Sequence, residues 1–122
     1  MQVLCIMVYL IIVIIQLIEA YTDSIKDIKK KTAFISSLDS NWMITSKFKV
    51  FNDHIIKEKI LKDEAKTKYD LYINALFGFI KINRNKSGHP TGLSMTEKEL
   101  SAFLQIFSEA SRYTYNLIDS LK

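Results

Sequence analysis

Near the C-terminus, Leu100, Phe103, Leu104, Phe107, Ala110, Ser111, Thr114, Leu117, Ile118 and Leu121 recur three or four residues apart. That spacing puts them on one face of an α-helix about six turns long, with Glu97, Lys98, Gln105 and Arg112 mostly off it. A strand repeats every two residues and cannot gather this set on one side, and a stripe this apolar must pack against other elements. The start of the helix is also written in the chain. Thr96 followed by Glu99 forms a capping box, each side chain satisfying a backbone N–H that the first turn leaves open, with Met95 and Leu100 placed as a hydrophobic staple. Ser94 with Glu97 offers a competing box two residues earlier.

Residues that would punctuate a turn-rich β fold are scarce. The chain has one proline and three glycines, and Pro90, Gly88 and Gly92 fall together in the stretch Asn83–Ser94, which reads as a loop over 83–95. Before it, Leu61, Ala65, Tyr69, Tyr72, Leu76 and Ile80 keep the helical period. Further upstream, Ile25, Ile28, Ile35 and Leu38 mark a helix capped near Thr22 or Asp23 and broken at Asp39-Ser40-Asn41. A short helix starting at Thr45 or Ser46 carries Phe48, Phe51 and Ile55 inward, and the pattern leaves open whether it continues through Lys57-Glu58-Lys59. The expectation is an all-α bundle of four to five helices after an N-terminal leader.

The leader is the apolar run Val3–Ile15, extended by Leu17 and Ile18 and closed by Glu19-Ala20-Tyr21. A short apolar core ending in a small residue fits a signal peptide cleaved after Ala20, although the run has no Lys or Arg ahead of it and a bulky Ile18 near the cut. The run is shorter than the ~20 apolar residues of a spanning anchor. Cleavage would divide the chain into a signal, 1–20, and one helical domain, 21–122, secreted and without stable membrane insertion. It would also remove the single cysteine, Cys5, so the exported domain would be held by packing alone. All 17 Lys and Arg lie after Ala20 with 12 of the 13 Asp and Glu, leaving a charge of +5. Apart from Lys29-Lys30-Lys31 the basic residues are interleaved with acids, unlike the concentrated basic face of a nucleic-acid binder, so no nucleic-acid partner is expected.

Enzyme constellations are missing from the sequence. His54 and His89 are the two histidines, no metal-protease spacing links them, and the exported chain lacks a cysteine nucleophile. His54 reads as a surface histidine of a helix. No catalytic residue, cofactor or metal site is expected. Aligned on an EF-hand loop, Asn83, Asn85, Ser87 and Gly88 fall at positions 1, 3, 5 and 6, but Ser94 stands where a bidentate Glu belongs and Arg84 and Lys86 lie inside, which excludes that site. Asn85-Lys86-Ser87 is an acceptor pattern for N-glycosylation in an exported chain.

Ile73–Ile80 is apolar nearly all round, which means deep burial or a second apolar face turned to a partner. Phe77, Phe79 and Ile80 are therefore the candidate surface for a protein or lipid partner. Gly78, costly inside a helix, would be explained by another helix crossing closely there.

Trp42, Phe48 and Phe51, a Lys-rich helix ending in Ile80-Lys81-Ile82-Asn83, then Leu93-Ser94-Met95-Thr96-Glu97-Lys98-Glu99 and a closing amphipathic helix, together resemble the nematode SXP/RAL family of small secreted helical antigens and allergens. The resemblance spans about residues 41–121; the Gly-His-Pro loop and the tyrosine-rich last helix depart from the family pattern. It implies an excreted or surface-associated helical protein, with divalent-cation binding proposed for the domain, and carries no ligand residue over to this chain. The functional expectation is a secreted, non-enzymatic binding or interaction protein. A carrier of fatty acid or another lipid in an interhelical cavity is the alternative, and a divalent-cation binder a weaker one.

Overall fold

The computed structural model describes residues 3–86 and 96–122, with side chains omitted at 3–4 and 84–86. Five helices follow one another: α1 (Val3–Ser24), α2 (Ile28–Asp39), α3 (Ile44–Lys57), α4 (Glu64–Lys86) and α5 (Glu97–Leu121). The fold is all-α, with no strand among the described residues. α2 packs with α3 and α4 with α5, and α1 lies against all four. The apolar N-terminal segment is thus the middle of the bundle: Ile6, Leu10, Ile14, Leu17 and Tyr21 share one core with Phe51, Ile55, Leu76, Phe79, Ile80 and Phe103.

The last helix follows its sequence pattern closely. Thr96 Oγ1 accepts from Glu99 N at 3.1 Å while Glu99 Oε1 accepts from Thr96 N at 3.0 Å, the reciprocal box that the spacing predicts. Phe103, Ala110, Ser111, Thr114 and Ile118 are buried on its inner face. Leu104 is the exception, standing 37 % exposed on the edge of the stripe. Met95 and Ser94 lie outside the described residues.

Three boundaries differ from the sequence expectation. α1 does not stop near Ala20; it runs to Ser24, where Thr22 Oγ1 and Ser24 Oγ donate back to the carbonyls of Ile18 and Tyr21. The cap of α2 is consequently Asp27, not Thr22 or Asp23, its carboxylate accepting from Lys29 N and Lys30 N. With that register Phe34 and Leu38 point inward, and Ile28, expected on the core stripe, is 78 % exposed. Third, α4 continues to Lys86, so the segment 83–86 is helical and the interhelical loop starts later than 83. Asn83, the would-be first ligand of an EF-hand, is a buried helix residue whose Nδ2 donates to Phe79 O at 2.8 Å.

α3 does not run on into α4. It ends at Lys57, with Glu58 N and Lys59 N donating to the carbonyls of His54 and Ile56 and Lys59 turned to φ 53°, the left-handed conformation that closes a helix. Phe48, Phe51 and Ile55 are buried as their spacing predicts.

Gly78 has a different explanation from the one expected. An added Cβ there would meet none of the described residues within 4 Å, so no described helix crosses closely at this point. The glycine confers only conformational freedom on the unfolded chain and poor helix propensity on α4. Gly78→Ala is therefore expected to stabilise the protein by about 1 kcal/mol, read as a higher urea midpoint with unchanged m-value.

Candidate binding surface

The three residues expected to form an apolar partner surface are distributed differently by α4. Phe79 is 2 % exposed and stacks on Phe103, with centroids 4.2 Å apart, and Ile80 is fully buried. Both belong to the core shared with α1, so in the full chain neither is a surface residue. A helix apolar on all sides fits two environments, and here the helix is covered. Phe77 alone reaches an edge. It stacks on Phe48 at 4.1 Å and lines a cleft of about 440 Å³ with Thr45, Ser46, Lys49, Asn52 and Lys81.

Exposed apolar side chains are scattered over the helices, and three of them line up on the outer side of α1. Val8, Ile12 and Ile15 are between 40 % and 52 % exposed, and Trp42, in the α2–α3 connection, is 82 % exposed. Ile15 and Trp42 line one cleft with Ile11, Ile18, Leu38, Ile44 and Lys47. A chain-wide hydropathy reading finds α1 but does not reveal which side is covered, because the whole segment is apolar.

The second feature that sequence reasoning missed joins α1 to α3. Tyr21, 1 % exposed, shares a hydrogen bond between its hydroxyl and His54 Nδ1 at 2.5 Å, and its ring packs edge-on against Phe34, Phe51 and His54. His54 is therefore a half-buried, partnered residue and not a free surface histidine. Nε2 faces Glu58 Oε1 at 3.9 Å, which favours the tautomer with the proton on Nε2 and Nδ1 accepting from Tyr21, and Glu58 in turn pairs with Lys30 at 3.3 Å. Burial pushes the Tyr21 phenol up to about 12, helped by Glu58, so it remains a donor across the physiological range. Burial also holds the His54 imidazole below its ordinary value, opposed by Glu58 and assisted by Lys57 and Lys30. Ser37 lines the same cleft, but both nitrogens of His54 already face other groups, which makes this arrangement a tie between helices and a poor general base. Thirty-three residues separate Tyr21 from His54, and no local motif announces the pair.

A depressed folded-state value means that the unfolded chain binds the proton more readily. The stability supplied by neutral His54 is present above the unfolded value of about 6.5 and is lost as pH falls through the lower folded value. The melting temperature is expected to be flat from pH 8 to 7 and to decline below about 6.5, and His54→Gln is expected to flatten that decline. A melting series at quarter-unit pH steps, above the range where carboxylates titrate, checks this.

Among the described residues no group of three or more His, Cys, Asp or Glu is placed to hold a metal ion. Asn85 is in the last turn of α4, while Ser87 of the same glycosylation triplet, His89 and Pro90 lie outside the described residues. Comparison with family models, curated proteins and solved structures finds no match.

Proposed function

We propose that the chain is exported with cleavage after Ala20 and acts outside the cell as a non-enzymatic binding protein of the SXP/RAL kind, through the apolar faces of α4 and α5. One observation carries this reading: α1 is apolar on both sides yet covered on only one. Ile6, Leu10, Ile14 and Leu17 are buried, while Val8, Ile12 and Ile15 face outward. A permanent helix of a water-soluble bundle turns polar residues outward. The apolar run, shorter by sequence than a spanning anchor, continues as a helix whose stretch Cys5–Ser24 is long and apolar enough to cross a membrane, and a segment apolar all round near the N-terminus matches a leader that meets a bilayer during export.

The test is the N-terminus of protein recovered from the medium of a secreting host. Tyr21 is the expected first residue. Met1 on exported protein, or retention of all the material with the membrane fraction, would sink the reading.

A further inference from the structure

We propose that, once residues 1–20 have been removed, the trough they leave between the α4–α5 pair and the α2–α3 pair receives an apolar α-helix from a partner protein. The proposal rests on the export reading above and adds the kind of partner. The occupant is visible in the full chain, where residues 3–20 form a helix about 27 Å long seated against α4 and α5. The walls are apolar where it sits: Leu76, Phe79, Ile80 and Phe103 are all buried with it in one core. Removing a helix opens a space about 10 Å across, the width of a helix and far wider than one extended acyl chain.

Two further observations favour a helix over a lipid. Ala110, Ser111 and Thr114 put small side chains in the middle of the buried face of α5, and small residues allow another helix backbone to approach, which an acyl tail does not need. Ser111 Oγ is also buried without a hydrogen-bond partner among the described residues, which suits a polar side chain of a partner helix better than hydrocarbon. Apart from α1, side-chain contacts join the two pairs. Phe48 stacks on Phe77, and Tyr69 donates to Asn52 Oδ1 at 2.7 Å, links between α3 and α4 made by residues that export would retain. The recognition mode is a helix in a groove, read by residues at i, i+4, i+7 and i+11, as Ile6, Leu10, Val13 and Leu17 do in the uncleaved chain.

The probe is a synthetic peptide of residues 3–20 with lysines added at both ends for solubility, titrated into exported protein whose N-terminus has been verified as Tyr21. Labelled-peptide anisotropy is expected to saturate at one peptide per chain, and the uncleaved chain, whose trough is filled, is expected to bind at least about tenfold more weakly. Ala110→Met should weaken peptide binding by about tenfold through overpacking, with circular dichroism confirming that the variant is helical; Thr114→Leu serves as the second such variant. Absence of saturable binding to a helical exported chain overturns the proposal and leaves the export reading standing, as does equal binding by the uncleaved chain. An exported chain that is coil by circular dichroism overturns it, since no trough then exists. Uptake of a fluorescent long-chain fatty acid without uptake of peptide assigns the trough to lipid and overturns the helix. A first residue of Met1 overturns both readings together.

Discussion

Phe51→Ala is expected to cost about 3–5 kcal/mol, the range for truncating a buried phenylalanine, which for a domain of about a hundred residues lowers the melting temperature by well over 10 °C. Phe51 is fully buried, and three rings lean on it: Tyr21 at 5.2 Å, Phe48 at 5.9 Å and Tyr69 at 6.5 Å. The side chain therefore joins α1, α3 and α4 at one point. Removing it leaves a cavity among rings that are fixed by other ties, Tyr21 by His54 and Tyr69 by Asn52, so the site cannot collapse to fill the space. Urea denaturation of the two chains measures the difference. A loss below about 1 kcal/mol would show that the ring is not at the centre of the core.

The second large effect belongs to α1. Chain kept uncleaved, by expression without export, is expected to melt at least about 15 °C above exported chain beginning at Tyr21. Leu10, Ile14 and Leu17 are each at most 1 % exposed, and burying each side chain contributes about 1.5–3 kcal/mol. Together they are a large share of the net stability of a small domain, about 5–15 kcal/mol. Calorimetric scans of both forms at one protein concentration check the difference, and equal melting temperatures would mean that residues 3–20 do not pack as described. Peptide binding in the trough would close part of the gap, because a ligand that binds the folded state alone raises its stability by mass action.

What could be read from the chain was whatever local chemistry decides. The Thr96–Glu99 box needs only residues three positions apart, and the inward set Phe48, Phe51 and Ile55 needs only one helix and its period. Readings failed where the deciding neighbour is distant. Asp27 caps α2 because α1 runs on to Ser24, past its expected end. Phe79 and Ile80 look the same in sequence whether covered or open, and it is α1, some sixty residues earlier, that belongs to their core. Gly78 invited a close-crossing explanation that the empty space beside it removes. The Tyr21–His54 pair joins two helices with no motif at either end.

The junction between Ala20 and Tyr21 has its own consequence for the order of events in the cell. Both residues are buried, and the bond between them lies inside a continuous α-helix. A peptidase needs its scissile bond extended and reachable, so the folded full-length chain is a poor substrate. On the export reading proposed above, cleavage would have to precede collapse of the bundle, and a molecule that folds first would keep residues 1–20 as a locked plug.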